Sequence, residues 1–287
     1  MSYQIITDSG CDLSATMLQQ LDVTVTPLHV LFRGENLVDS VEDTQIKTVY
    51  AGLRAGEQTS TSAVNPEGWK ESIAPILAGG EDALVLCFSS GLSTTYQSAV
   101  IAAEELQEIY PGRKVLVVDT LCAALGQGLL VWYTCHKRDE GLSLEELAAW
   151  VENNKFHLCH WFTVDDLMYL KRGGRVSATS AVVGTLLKIK PVLHVDNNGK
   201  LINMAKVRGR KSSIEALVSK MVELEGQYDN QMVFISHGDC LEEAQVLKAL
   251  VLEKTNAKEV MIGNLGAVIG SHAGPGTLAL FFMGIQR

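Results

Sequence analysis

A chain of 287 residues with 47% hydrophobic and 20% charged side chains is long enough for two hydrophobic cores, and this composition excludes a disordered or low-complexity protein. The formal charge of −9, from 24 Lys+Arg against 33 Asp+Glu, speaks against a general nucleic-acid binder, whose affinity rests on phosphate neutralisation. No apolar run reaches the roughly 18 residues of a membrane span, and MSYQIITDSG lacks the basic region of a secretory signal; the expectation is a cytoplasmic protein that does not span a membrane.

YQIIT (3–7) reads as a short strand, with Asp12 as the N-cap of a helix whose apolar positions are Leu13, Met17, Leu18 and Leu21. VTVTPLHVLF follows as one extended run, and Asn65-Pro66 opens a helix with Trp69, Ile73, Ile76 and Leu77 on one face. ALVLCF (83–88) and KVLVVD (114–119) are continuous apolar strands, each followed by a helical segment, as in a sheet covered on both faces. Ser143-Leu-Glu-Glu146 is a capping-box pattern opening one more helix. Beyond about residue 154 the pattern changes: the Asn-Gly of Asp196-Asn-Asn-Gly199 predicts a hairpin between KPVLHV and LINMAKV. A helix over 212–225, strand QMVFIS, a helix over 241–254, EVMIGNLG and TLALFF complete the chain. The expected fold is α/β, with a mostly parallel sheet in an N-terminal domain (1–155), an α+β C-terminal domain (156–287), and a ligand at their junction.

Three loops carry residues suited to chemistry. TDSGCDL (7–13) holds two carboxylates, of which Asp8 is either a base or a loop tie. FSSGLSTTYQSA (88–99) ends a buried strand in small hydroxyl residues just before a helix, and free N–H groups with the Ser93 hydroxyl suit a carboxylate or phosphate, unless Ser93 simply caps the helix. TSTSAVNP (59–66) is a third hydroxyl-dense loop. LKRGGRVS (170–177) and KVRGRKSS (206–213) add positive charge; cations at a helix start oppose its dipole, so they point to an acidic ligand or partner, or to a solvated basic surface. In VIGSHAGPG a lone ionisable residue, His272, sits between glycine pairs.

No GxSxG, GxxxxGK[ST] or HExxH motif occurs, and Gly126-Gln-Gly128 lacks the third glycine of a dinucleotide fingerprint. The six cysteines form no CxxC pair and read as buried small hydrophobes. His157-Leu-Cys-His160 lies in a strand-like run whose two histidines would point to opposite faces, so no metal is expected.

TDSGCDL, TSTSAVNP, SSGLSTTYQSA, DTLCAALGQGLLV, VDDLMYLKRGGRVS, LLKIKPVL and VIGSHAGPG, in this order, resemble the DegV family, which includes the fatty-acid-binding B subunits of bacterial fatty-acid kinase. The resemblance implies a two-domain protein that holds a long-chain fatty acid in a buried tunnel, needs no cofactor, and presents the carboxyl group to a separate ATP-dependent kinase subunit that makes the acyl-phosphate. It implies carboxylate contacts from Ser93, from Thr59 with Ser60 beside it, and from His272. Arg175 is similar to a family arginine near the acid head, and Arg208 resembles a basic residue that works with the kinase partner. Thr61-Ser62 stand where the family usually has Gln-Pro, and Thr94 where it usually has glycine, so the loop path and head-group geometry can differ. Two other readings compete: an acyl hydrolase using Ser93 and His272, and a lipid-sensing regulatory protein.

Overall fold

The computed structural model describes residues 2–176 and 189–287; Ser177 of LKRGGRVS and residues 186–188 of LLKIKPVL lie outside them. β1 (Tyr3–Asp8) leads through a 3₁₀ turn at Ser9–Cys11 into α1 (Ala15–Gln20) and back to β2 (Val23–Thr26). β3 (His29–Phe32) and β4 (Glu35–Val38) make a hairpin, followed by α2 (Asp43–Arg54) and β5 (Thr59–Ser62). Next come α3 (Pro66–Ala78), β6 (Asp82–Cys87), α4 (Thr95–Ile109) and β7 (Val115–Asp119). Four strands form a wholly parallel sheet in the order β2-β1-β6-β7.

VTVTPLHVLF is therefore not one strand. β2 is an edge of the parallel sheet, whereas β3 lies between β4 and β5 in a separate antiparallel sheet. Pro27 separates them because it has no N–H to continue a ladder. The expected cap also moves: Ser14, not Asp12, accepts from Met17 N and starts α1. Asp12 instead sits buried in the left-handed region, with φ 54°.

The second half contains α5 (Ala124–Asp139), α6 (Leu144–Asn154), β8 (Leu158–Thr163), α7 (Met168–Arg172), β9 (Ile189–Val195) and β10 (Leu201–Arg208). It continues with α8 (Arg210–Leu224), β11 (Met232–His237), α9 (Leu241–Lys254), β12 (Glu259–Asn264), α10 (Ala267–Ala273) and β13 (Leu278–Met283). Six strands form a mixed sheet ordered β10-β9-β8-β13-β11-β12, in which β11 and β12 are parallel. The β9–β10 turn closes as its Asn-Gly pattern predicts, with Gly199 at φ +68° and Asp196 N donating to Lys200 O at 2.9 Å. Ser143 and Glu146 form the complete capping box of α6. The short helix α10 was not legible from its glycine-rich sequence.

One core lies between the two large sheets, where Leu125 and Leu129 of α5 meet Leu84 and Leu86 of β6 and Phe281 of β13. A helix shared by two sheets is apolar all round, and α5 is buried from Ala124 to Val131. A second core covers the other face of the parallel sheet with Trp69 and Ile73 of α3, and a third packs α8 and α9 on the outer face of the six-stranded sheet. No helix among the described residues is long and apolar enough to cross a membrane.

Candidate functional site

A cavity of about 500 Å³ opens where the two halves meet, within the size range of small-molecule sites. Its wall is mostly apolar, with Leu28 and Phe88 from the first half and Phe162, Val195, Leu201 and Phe281 from the second. Hydroxyls from Thr61, Ser62, Ser93 and Thr94 enter it, together with His272 and Arg175.

The Ser93 loop hangs from the carboxyl end of β6, where parallel-sheet folds place ligands. Asp8 at the end of β1 holds its start: Oδ2 accepts from Phe88 N at 2.7 Å and Oδ1 from Gly10 N at 3.0 Å. Asp8 is thus a loop tie, and burial pushes its pKa up to about 7. The turn that follows is closed by Leu92 N and Ser93 N, each donating to Ser89 O at 3.1 Å. Ser93 Oγ lies 2.9 Å from Thr95 Oγ1 and accepts from Thr95 N at 3.3 Å, so it braces the turn into α4, whose N-cap residue Thr94 makes no side-chain cap bond, while facing the cavity.

His272 comes from α10, and its Nε2 is 2.7 Å from Thr61 Oγ1. The ring lies against Gly173, where a Cβ would stand 2.3 Å from His272 Nδ1; the glycine of KRGGR is what makes room for the histidine. Burial, then the charge of Arg175, pushes His272 down to about 4, so the imidazole is neutral at ordinary pH and acts through hydrogen bonds. Arg175 is half-buried; its Nε donates to Leu92 O at 3.2 Å and its Nη1 to Gly173 O, which fixes the guanidinium between the Ser93 loop and His272. An arginine retains its charge there. The cluster offers a cation, a neutral imidazole and several hydroxyls to an acid group, beside a long apolar wall.

Three of the expected residues stand away from the cavity. Thr59 and Ser60 do not line it; Thr61 and Ser62 do. Ser60 lies opposite Leu31, which faces solvent, and Thr59 shares a face with Thr61 but sits two residues earlier, at the start of β5. The second Thr-Ser of TSTSA is the one in reach, and strand alternation alone could not choose between the two. Arg208 stands exposed at the end of β10, away from the cavity. Its neighbour Arg210 is tied to α9 through Glu243 at 2.6 Å and to Gly276 O at 2.7 Å.

His160, weighed from the sequence only as a metal ligand, lines the cavity. Its Nε2 accepts from Ala123 N at 3.3 Å and its Nδ1 lies 3.2 Å from Leu158 O, so both nitrogens are spent on backbone. His157 sits outside β8 in a 3₁₀ turn, and among the described residues no group of His, Cys, Asp or Glu is placed to hold a metal. Ser93 and His272 form no mutual hydrogen bond among the described residues, each bonding to a threonine instead.

The family model described as "Uncharacterised protein, DegV family" matches residues 2–284. A DegV domain-containing protein of Clostridium perfringens is 44% identical over 98% of this chain and 97% of its own. Among solved structures, a DegV family protein from Thermus thermophilus, described as binding fatty acid, is 32% identical with a TM-score of 0.90 over 99% of this chain and 100% of its own. A DegV lipid binding protein from Thermotoga maritima is 31% identical with a TM-score of 0.89, covering 100% of both chains.

Proposed function

This chain belongs to the DegV family, and from that premise we propose that its cavity holds one long-chain fatty acid, tail against the apolar wall and carboxylate among Thr61, Ser62, Ser93, His272 and Arg175. The observation that carries this reading is the composition of the cavity: about 500 Å³, apolar along most of its wall, with its cation and hydroxyls gathered around a neutral histidine. A carboxylate leaving water needs a charged or hydrogen-bonded partner. Arg175 supplies the charge, and the hydroxyls supply directional donors. The solved DegV proteins described as binding fatty acid or lipid support the same ligand class.

The finer part of the proposal is that the protein presents the bound acid to a separate ATP-dependent kinase subunit, with exposed Arg208 on the docking face. In that role the chain carries the substrate and the partner carries out phosphoryl transfer. Mass spectrometry of lipid released from the denatured, purified protein tests the ligand. A stoichiometric long-chain acid is expected; an empty protein that also fails to bind palmitate or oleate on titration overturns the reading.

A further inference from the structure

The residues of this site stand on elements from both halves, and a first-half carboxylate grips the second-half element that bears His272. Asp39, in the loop after β4, is 7% exposed. Its Oδ1 accepts from Val268 N at 3.0 Å and its Oδ2 from Ser9 Oγ at 2.9 Å. The loop is fixed in turn: Asp39 N donates to Leu28 O at 2.9 Å, and Leu28 N donates to Ser9 Oγ at 2.9 Å.

Val268 lies in the first turn of α10, whose N-cap residue is Gly266, with no side chain to offer the helix. A Cβ at position 266 would come within 2.4 Å of Asp12 Oδ1, so glycine admits the carboxyl groups to the helix end. Asp39 then does from a distant part of the chain what an N-cap side chain does locally. Tyr50 of α2 secures the same helix, donating from its hydroxyl to Leu265 O at 3.1 Å and filling the space beside Gly270. His272 follows Val268 by four residues, one turn later on the same face.

We propose that Asp39 is a positioning residue for the head-group site: by holding the N-terminus of α10 it sets where His272 meets Thr61 and the ligand's acid group. This rests on the proposed function for its ligand, but the geometry of His272 is measurable without one. The titratable groups around the path are Asp8 and Asp12 beside Asp39, and the charged group beside His272 is Arg175.

The test compares the full chain with Asp39→Ala, Asp39→Asn, His272→Ala and the Asp39→Ala/His272→Ala double variant, using palmitate and its methyl ester as probes. Asp39→Ala should weaken palmitate binding about tenfold and leave the ester, which lacks the acid group, unchanged. Asp39→Asn keeps an acceptor oxygen for Val268 N–H and should restore most of the loss. In the His272→Ala background Asp39→Ala should add nothing. Equal weakening of acid and ester, or losses that add to that of His272→Ala, overturns the proposal. NMR titration of the His272 ring in lipid-free protein provides the second measurement: burial, then Arg175, holds the parent ring low, at about 4, and loosening its place in Asp39→Ala should raise the midpoint above the parent's; an unmoved midpoint overturns the proposal. If the parent binds neither probe, the ligand reading fails while the ring titration still decides the role of Asp39. Should Asp39→Ala not fold, Asp39→Ser, whose hydroxyl falls short of Val268 N, takes its place with the same outcomes.

Discussion

Thr61 Oγ1 and His272 Nε2, separated by 211 positions in the chain, lie 2.7 Å apart in the wall of the cavity. The bond joins β5 of the small antiparallel sheet to α10, the helix before the last strand. It identifies the threonine that matters. Thr61→Ala removes a partner of a part-buried imidazole and, in the proposed site, a donor to the ligand's carboxylate, a contact of about 1.5–3 kcal/mol. Calorimetric titration with palmitate should show affinity falling at least tenfold for Thr61→Ala and staying near the parental value for Thr59→Ala and Ser60→Ala. A loss confined to the latter two would return the head-group role to the first Thr-Ser pair.

Gly173→Ala probes the other side of the same ring. A methyl group there would stand 2.3 Å from His272 Nδ1, so the imidazole must swing away and its bond to Thr61 must break. Overpacking of this kind costs about 1–3 kcal/mol. The expected result is a lower Tm together with weakened palmitate binding, and the carboxyl-free methyl ester should be affected less. Wild-type affinity and Tm would mean that the ring has another place to go.

Acid should weaken the fold through its buried histidines. Burial holds His160 well below the ordinary histidine range and brings His194 and His272 to about 4. Between the unfolded value of about 6.5 and the folded value, the unfolded chain binds more protons, so each histidine's contribution is complete above that window and is lost as pH falls through it. For His272 the loss is on the order of 3 kcal/mol at most. Asp8 and Asp39, raised to about 7 and about 6, act in the opposite sense: the folded state holds their protons more tightly, and the cost of their ionisation is relieved on acidification. Urea unfolding of His272→Asn at a series of pH values should therefore give a stability curve that falls less steeply between pH 6.5 and 4 than the parent's. Superimposable slopes would place His272 outside this linkage.

Asp12 offers a complementary test. Its carboxyl is buried, lies against Gly266 without a well-formed hydrogen bond, and is pushed well above the usual carboxylate range by burial and by Asp39. That direction favours the protonated, uncharged form. Asp12→Asn, uncharged and nearly the same shape, should consequently keep the parental stability at pH 7 to within about 1 kcal/mol, measured by thermal or urea unfolding. A loss of several kcal/mol would show that Asp12 carries a charge the fold depends on.

In the proposed kinase-presenting role, Arg208→Ala separates docking from binding. The side chain is exposed and far from the cavity wall, so lipid affinity should not change. In a phosphorylation assay with a cognate kinase subunit, the defect should shrink as the kinase is raised and should resemble the effect of added salt, which screens exposed charges beyond about 8–10 Å. A rate that is low at every kinase concentration would place Arg208 in the chemistry instead of the encounter.

Much of the fold follows from local pattern. The continuous apolar runs of β6 and β7 require burial on both faces and hence a covered parallel sheet. Asn65-Pro66, the Ser143/Glu146 box and the Asn198-Gly199 turn each carry their own geometry, and all three form as written. Ser93 and His272 were legible for a related reason: a hydroxyl where a buried strand passes into a helix, and a lone ionisable group among glycines, stand out against their surroundings. The choices left to tertiary structure are those between locally equivalent residues. TSTSA offers two Thr-Ser pairs of the same type, and only the position of α10 across the cavity selects Thr61. Asp12 looks like a helix cap until Ser14 is seen to hold that place. Asp39 carries no motif, because it caps a helix 229 positions away. Local sequence encodes backbone preference and amphipathic pattern; which side chains meet across the junction depends on how the two sheets pack around α5, and no short segment contains that information.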